Sequence, residues 1–229
     1  MPGSAVLALA DARFPGGGHV HSGGVEEAAA RGLVTDVPSL REFLRGRLFG
    51  AGEVQAVFAA AAAHAALRGA GAQHWRRLDA ELDARTPSPA QRTASRAQGR
   101  GTARSGRAAW PSEALEQLVA IDRRPHHALV LGVLTAASGD GPREAALVAG
   151  YLAISGPSSA GVRLLGLDPM AVNGVVAELG PDLDELAARA AATAGADPAE
   201  LPAPGAPALD LLAEAHERQH REHVRLFAS

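Results

Sequence analysis

The chain has 229 residues, of which 47% are apolar and 21% are charged, and its formal net charge is −3. This composition is typical of a folded globular protein, and it excludes a disordered tail and a general electrostatic attraction to nucleic acid or anionic membranes. Cysteine is absent and all 22 residues counted as lysine or arginine are arginine, which excludes disulfides, thiolate metal sites, cysteine nucleophiles, Walker A loops and lysine Schiff bases.

Helix-forming patterns recur along the whole chain, while strand signals are weak throughout. Alanine, the best helix former, is the commonest residue, and aromatic residues make up only 3%. A glycine-rich loop at residues 14–26 leads into a helix near Ser22. Apolar spacing and capping patterns then predict helices over residues 36–48, 53–67, 75–82, 111–121, 128–137, 142–154, 168–180, 182–194 and 209–227. We therefore predict an all-α protein, a single compact, bundle-like domain over residues 1–229 with roughly eight to ten helices.

Three of these segments carry more specific signals. Asp36 and Ser39 offer two competing start points for the same helix, because each begins a capping pattern. Residues 128–137 are apolar on every side, which predicts a central helix without a solvent face. The Gly156-Pro157 pair is expected to break the helix that precedes it.

The less regular segments shape the predicted domain organisation. The glycine- and arginine-rich stretch 86–107 is expected to be partly mobile. The proline-rich stretch 197–207 is predicted to be a linker that lets the terminal helix and tail, 208–229, swing or dock separately. No run of about 18 apolar residues occurs, so we expect no membrane span. The N-terminus lacks the positively charged region of a signal peptide, which favours a cytoplasmic protein.

Two histidine patterns raise the question of metal binding. His19 and His21 have the H-x-H spacing of a metal pair, although a tight loop with one buried and one exposed ring is the more frequent arrangement. Near the C-terminus, His216 and His220 stand in an H-E-x-x-H motif like that of zinc proteases, with His223 as a third imidazole on the same face. Charged flanks indicate a surface helix there, so we expect no metal site beyond weak adventitious binding of nickel or zinc.

Arginine recurs at four-residue spacing in the middle of the chain, at positions 92, 96, 100 and 104. If this stretch is helical, the spacing produces a positive stripe that suits nucleic acid or an acidic protein surface. The aromatic residues that stack on single-stranded bases are missing, and the net charge is negative. A solvated face or a protein-docking patch is therefore favoured.

The mostly uncharged stretch 151–166 contains one arginine, Arg163, and the only tyrosine of the chain, Tyr151. An arginine in such surroundings is either buried with a partner or displayed to another protein. The pattern leaves both roles open. No serine, histidine and aspartate stand in a recognisable catalytic order, so the sequence predicts no nucleophilic active site.

Together, these stretches resemble one known family. Residues 15–26, P-G-G-G-H-V-H-S-G-G-V-E, are similar to the L-P-x-G-x-F-x-H-S-x-G-L-E signature near the start of the urease accessory protein UreF family. Residues 92–99, R-T-A-S-R-A-Q-G, resemble its R-x-x-S-x-x-x-G element, and the late stretch with V-R-L resembles its C-terminal block. The elements occur in the family's order and span most of the chain. Phe14, His19 and Val25 depart from the usual residues.

The resemblance implies a non-enzymatic role in urease maturation. Members of this family act as dimeric cytoplasmic adaptors that bind the accessory protein UreD (also called UreH) and recruit the nickel-carrying GTPase UreG. The assembly delivers nickel to apo-urease as GTP is hydrolysed, and the adaptor can modulate that GTPase. For this chain, the resemblance implies a homodimer with these three partners and no nucleic-acid or membrane partner. It implies no cofactor bound by the chain itself, because nickel and GTP act through the partners.

The resemblance also singles out residues expected to bind partners, which are His21, Ser22, Glu26, Ser95, Gly99, Tyr151 and Arg163. Arg163 is the first candidate for recruiting the GTPase, and the terminal helix is expected to help bind UreD and to become ordered with it. Two hypotheses of other classes stay open. One is a metal-dependent hydrolase that uses the H-E-x-x-H motif, and the other is an arginine-rich helical module that binds nucleic acid.

Overall fold

The computed structural model describes residues 3–11, 13–15 and 22–226, and every regular element within these ranges is a helix, which confirms the predicted all-α class. The α-helices of the described ranges are α1 (Ser4–Ala10), α2 (Val25–Ala30), α3 (Val37–Arg47), α4 (Glu53–Leu67), α5 (Ala72–Ala84), α6 (Pro89–Ala109), α7 (Glu113–Ile121), α8 (His127–Ala137), α9 (Pro142–Leu165), α10 (Pro169–Glu178), α11 (Gly180–Thr193) and α12 (Pro207–Leu226). A π-helical turn, Leu48–Gly52, joins α3 to α4, and a short 3₁₀ turn, Pro198–Glu200, precedes α12. Because α1 and α6 lie where the patterns assign no helix, there are more helices than predicted.

Polar side chains fix where several helices begin. At the start of α3, Asp36 accepts a hydrogen bond from the Ser39 N–H over 2.9 Å, and Ser39 Oγ accepts one from the Asp36 N–H over 3.0 Å. The helix therefore starts from Asp36, and Ser39, the competing start point, is instead the other half of the same reciprocal cap. Ser88, Ser112 and Asp168 cap α6, α7 and α10 by accepting a bond from a first-turn N–H. These caps satisfy donors that have no partner inside the helix.

The core is centred on α8, which packs against α4, α6, α7 and α9. Residues 128–135 of α8 are all buried, which confirms the predicted central helix. The facing helix α4 is rich in alanine, and the two backbones come very close. A Cβ on Gly132 would lie 2.2 Å from Ala59 O and 2.8 Å from Ala62 Cβ. Small residues therefore set the spacing of α4 and α8.

The helix α9 runs without interruption from Pro142 to Leu165, so the predicted break at Gly156-Pro157 is wrong. Proline lacks the N–H that would bond to the Ala153 carbonyl one turn earlier, and this loss normally kinks or ends a helix. Here the Nε of Arg47 donates to that carbonyl over 2.8 Å. The helix continues because a side chain from another helix satisfies the freed acceptor.

Of the described helices, α9 is the one that is long and apolar enough to cross a membrane, with a mean hydropathy of 1.3 over its apolar stretch. The sequence patterns predict no membrane span. In the structure, 61% of that apolar stretch is buried inside the protein. It packs against α4, α8 and α11. A core helix of a globular fold accounts for this composition.

Most of the stretch 86–107, which is expected to be partly mobile, is occupied by α6. Its glycines Gly99 and Gly106 are buried at helix contacts. A Cβ on Gly106 would lie 2.4 Å from the side chain of Leu134 in α8. The glycines that lower the helix propensity of this stretch thus allow α6 to pack closely on α8.

The stretch 197–207, predicted as a linker, is attached to α5 in its first part. Arg85 donates to the Ala199 carbonyl over 2.8 Å, and the Leu201 side chain is buried. Beyond it, α12 packs on α2 and α6, with Leu209 at the buried side of the helix. The described first half of the terminal helix is therefore docked on the other helices.

Candidate functional site

The middle motif, R-x-x-S-x-x-x-G, lies on α6 where this helix meets the start of α8. Ser95 Oγ lies 3.0 Å from Nδ1 of His126 and accepts a hydrogen bond from the His127 N–H over 3.3 Å. One turn further on, a Cβ on Gly99 would lie only 1.9 Å from Pro125 O. The motif thereby holds the α6 backbone directly against the start of α8.

His126 is fully buried and links this contact to α5. Its Nε2 lies 2.8 Å from Oδ1 of Asp83, and because an ionised carboxylate only accepts, Nε2 carries the proton. In the neutral ring Nδ1 is then the acceptor, and the Ser95 hydroxyl donates to it. These distances match a Ser-His-Asp triad, but Ser95 sits in the contact between α6 and α8 and lines neither cavity described below. The arrangement acts as a connection between helices.

Beside this connection, Arg96 is surrounded by carboxylates. Its guanidinium lies 3.0 Å from Asp79, 2.7 Å from Asp83 and 3.0 Å from Asp122. Burial lowers the pKa of His126, and the charge of Arg96 lowers it further, which keeps the ring neutral. Burial raises the pKa of Asp83, but hydrogen bonds from Arg96 and His126 outweigh it and hold that pKa below its usual value. The cluster fixes α5, α6 and the loop before α8 together.

The structure divides the predicted arginine stripe into a half that is paired within the fold and an exposed half. Arg96 belongs to the carboxylate cluster, and Arg92 donates to the Thr86 carbonyl over 2.7 Å. Arg100 and Arg104 are exposed, and with two further arginines they line a groove of about 640 Å³ between α6 and α7. The four arginines therefore do not form the continuous stripe on which the nucleic-acid hypothesis depends.

A second cavity, of about 470 Å³, lies where the early, middle and late motifs meet. Tyr151 and Arg163 line it from α9, and both are exposed at its rim. Gly23, the neighbour of Ser22, lines it from the N-terminal side, and Gln98 of the middle motif lines it from α6. The fold thus gathers three stretches that are far apart in sequence around one cavity, which we call the motif cavity.

The early motif is only partly described. His19 and His21 lie outside the described residues. Ser22 is half-buried just before α2. Glu26 is exposed on α2, with its Oε2 3.9 Å from Nε2 of His216 on α12. Glu26 therefore faces the terminal helix rather than the motif cavity.

Arg47, at the end of α3, joins the early turn to α9 beside the motif cavity. Its Nη1 donates to the Gly23 carbonyl over 2.7 Å, while its Nε donates to Ala153. Gly23 and Gly24 have φ values of +62° and +97°, which favour glycine. A Cβ on Gly23 would also lie 2.7 Å from Pro157, so the turn fits against α9 only without a side chain. Burial lowers the pKa of Arg47 to about 10.

The C-terminal histidine motif is associated with no metal cluster in the described part of the chain. Among those residues, no three histidine, aspartate or glutamate side chains come together as metal ligands. His216 lies near Glu26, and the side chains of His220 and His223 fall outside the description. A zinc site at the H-E-x-x-H motif stays a hypothesis from sequence.

Comparison with known proteins relates most of the chain to one group. A sequence model for UreF matches residues 34–180, which include the helices α3 to α10. The chain belongs to the UreF family. It is 45% identical over 224 residues to the urease accessory protein UreF of Mycobacterium sp. (strain JLS), covering 98% of this chain and 97% of that protein. Identity to UreF of Mycolicibacterium vanbaalenii is 44% with the same coverage, and identity to UreF of Mycobacterium tuberculosis (strain CDC 1551 / Oshkosh) is 42%, covering 94% and 95% of the two chains.

The resemblance seen in the sequence is therefore confirmed, and with it a UreF-type accessory role in urease maturation. The sequence motifs of UreF did not indicate Arg47 or His126 as residues of interest. Arg47 acts on a carbonyl 106 positions away, so no local pattern reveals it. The signal in the sequence that could have pointed to a donor such as Arg47 was Pro157, because a proline inside a helical pattern leaves a carbonyl that needs another hydrogen-bond donor.

Proposed function

We propose that this chain is the adaptor that bridges UreD (UreH) and the GTPase UreG, so that nickel is inserted into apo-urease as GTP is hydrolysed. The near full-length similarity to proteins named urease accessory protein UreF carries the proposal. In this proposal the chain works in the cytoplasm as a homodimer and catalyses no reaction itself. Nickel and GTP are handled by the partners, and the chain modulates the GTPase by contact.

Two exposed residues of α9 support a role in recruiting UreG. Tyr151 is 36% exposed and shares the rim of the motif cavity with the exposed Arg163. Tyrosine and arginine are the side chains most often found as anchors of protein interfaces, since they combine a large contact area with polar ends. Arg100 and Arg104 in the groove between α6 and α7 add positive charge, which speeds and orients the approach of an acidic surface.

The terminal helix supports a role in binding UreD. Glu214 on α12 accepts hydrogen bonds from the Ser88 hydroxyl over 2.6 Å and from the Ala90 N–H over 2.9 Å, at the start of α6. Asp210 accepts another from Gln91 over 3.1 Å. Beside these polar contacts, Leu209 and Ala215 are buried, and the helix packs only on α2 and α6 among the elements it contacts most, so a partner with a larger apolar surface can compete for it.

Co-purification tests the proposal. The chain is expressed with UreD and UreG from the same source, and the complex is measured by size exclusion with light scattering, with and without nickel and GTP. We expect a stable complex with two copies of this chain. A monomer that binds neither partner contradicts the adaptor role.

An Arg163→Ala variant tests the role of the α9 rim within that complex. We expect it to lose UreG, to keep UreD, and to retain the helical circular dichroism of the wild type. Arg76→Ala is the matched control, since Arg76 is an exposed arginine on α5, which packs on α4 and α7. Retention of UreG by Arg163→Ala, at the wild-type level, refutes this assignment while leaving the adaptor role intact.

A further inference from the structure

The helices α6 and α7 form an antiparallel pair with an open groove between them. They are joined by the short connection 110–112, and both pack on α8. Arg107 lies 2.6 Å from Glu116 near this connection, and Arg96 lies 3.0 Å from Asp122 at the other end of the pair. These two ion pairs are separated by about three turns of α6, or about 16 Å of helix. The groove of about 640 Å³ follows this length and is lined by residues of both helices.

The residues that line the groove repeat with helical spacing on both sides. On α6 they stand at positions 97, 100, 101, 104 and 107, and on α7 and just after it they stand at positions 116, 119, 120 and 123. Steps of three and four residues mark one face of a helix. Two such faces side by side form the seat of a third helix in a helical bundle. Ala97 and Ala120 are exposed, so no other helix of the described part of the chain covers this seat.

The floor of the groove consists of small side chains. Ala97 and Gly101 lie on its α6 side, Val119 and Ala120 lie on its α7 side, and Ala103 is buried beneath them. Residues of this size allow the backbone of a further helix to approach closely. None of the described lining residues is aromatic, so the groove offers no ring on which a nucleic-acid base could stack. The floor therefore suits a protein helix better than a nucleic acid.

Arginines stand along the edges of this floor. Arg107 is paired with Glu116, whereas Arg100, Arg104 and Arg123 are exposed and make no ion pair or side-chain hydrogen bond with any described residue. Arg100 and Arg104 are four positions apart, which corresponds to about 6 Å along the helix. Carboxylates one turn apart on another helix have the same spacing. The groove therefore has an excess of positive charge, and the spacing of this charge matches an acidic helix.

We propose that this groove, which we call the arginine groove, seats an amphipathic helix of a protein partner. The small apolar residues of that helix lie on the floor, and its carboxylates, one turn apart, face the arginines. In the proposed function the same arginines only attract an acidic surface. The present inference goes further and rests on that function solely for the presence of a protein partner. The charges set the approach and orientation of the helix, and contact with the floor holds it.

The purified chain and synthetic helices test this proposal by fluorescence anisotropy. The probe is a fluorescein-labelled, hydrocarbon-stapled peptide of about four helical turns, in which a stripe of alanine is flanked by glutamates at four-residue spacing. The matched probe carries glutamine in place of every glutamate, and a labelled RNA hairpin represents nucleic acid. We expect saturable binding of the acidic helix that weakens as salt is added, and about tenfold or more weaker binding of the glutamine helix and of the RNA.

Two groove variants separate the effect of charge from that of shape. Arg100→Glu combined with Arg104→Glu should weaken binding of the acidic helix about tenfold or more, since two attractive contacts become repulsive. Arg76→Glu, on the exposed face of α5, is the matched control and should bind as the wild type does. Ala120→Trp fills the floor and keeps every arginine, so it should abolish binding while the helical circular dichroism is retained. Ala177→Trp, at an exposed alanine of α10, is its control.

The outcomes that overturn the proposal are distinct from those that test the adaptor role. Absence of saturable binding, equal binding of the acidic and glutamine helices, or stronger binding of the RNA overturns it, and so does wild-type affinity in either groove variant. UreD and UreG are absent from these measurements. A negative result here therefore leaves the adaptor role intact, and a failed co-purification leaves the arginine groove as a site for an acidic helix.

Discussion

Replacing Gly99 with alanine tests whether the middle motif acts by packing. The added Cβ would lie 1.9 Å from Pro125 O and 2.9 Å from the backbone N of His127. Both are backbone atoms, which cannot rotate away as a side chain can. Restoring ordinary contact requires α6 and the start of α8 to separate by about 1.5 Å. That movement also stretches the hydrogen bonds of Ser95 to His126 and His127.

The expected cost follows from these contacts. Overpacking of this kind costs about 1–3 kcal/mol, and each weakened hydrogen bond costs about 1 kcal/mol. Alanine returns about 1 kcal/mol through its higher helix propensity. The free energy of unfolding of Gly99→Ala should therefore fall by about 2–4 kcal/mol. For a chain of this size the melting temperature then drops by roughly 5–15 °C.

Urea denaturation followed by circular dichroism at 222 nm measures this change. Gly174→Ala is the control, because Gly174 lies inside α10 and a Cβ there meets nothing within 4 Å. That control should gain about 0.5–1 kcal/mol from helix propensity alone. If Gly99→Ala is as stable as the wild type, the contact described here is wrong, and Gly99 must serve a partner instead of the fold.

Three further predictions concern the buried polar groups and the terminal helix. Arg47→Met should lower the free energy of unfolding by about 1 kcal/mol less in a Pro157→Ala background than in the wild type, because the alanine that replaces Pro157 supplies its own N–H to the Ala153 carbonyl. Strictly additive unfolding free energies in this double-mutant cycle would argue against the coupling. The folded-state pKa of His126 lies below the unfolded value near 6.5, so the neutral ring favours the folded state above pH 6.5. As the pH falls below 6.5, the free energy of unfolding decreases by up to about 1.4 kcal/mol per pH unit. His126→Gln should flatten the pH dependence of the urea midpoint between pH 7.5 and 5.5, while the part of the slope that comes from His74, whose pKa is also lowered by burial, is retained. Identical slopes for the wild type and His126→Gln would contradict the assignment. Glu214→Ala should speed proteolysis between α11 and α12 without changing the core helices, since two hydrogen bonds to the start of α6 are lost. An unchanged rate of cleavage would show that the apolar contacts alone hold α12.

Local signals in the sequence were sufficient for much of the fold. The helix start at Asp36 and the all-apolar run 128–137 each depend on neighbours within a few residues, and both predictions match the structure. The competing start at Ser39 does not, because Ser39 is the third residue of α3. The stretch 86–107 and the Gly156-Pro157 pair depend on distant contacts instead. The glycines of α6 are explained by α8, and the proline of α9 is tolerated because of Arg47. A reading of local propensity contains neither partner.

The candidate site divides along the same line. The three motifs that indicated the UreF family do meet, because Tyr151 and Arg163 line the motif cavity together with residues next to Ser22 and Gly99. Arg47, which joins the early turn to α9 beside this cavity, belongs to no motif. Its role arises from hydrogen bonds to the carbonyls of Gly23 and Ala153, which are distant in sequence and come close only in the folded chain.

The close contact of α4 and α8 restricts how this chain can diverge during evolution. We call the small residues where α4 and α8 touch the seam. Replacing an alanine of the seam with a larger residue overpacks a contact in which Gly132 already leaves no room beside Ala59, at a cost of about 1–3 kcal/mol. One that becomes glycine loses about 0.5–1 kcal/mol of helix stability. Both directions of change are therefore unfavourable, whereas a leucine packed among flexible neighbours tolerates exchange for another large apolar residue. Substitutions are expected to accumulate on the outer helix faces, and the seam of small residues is expected to change last.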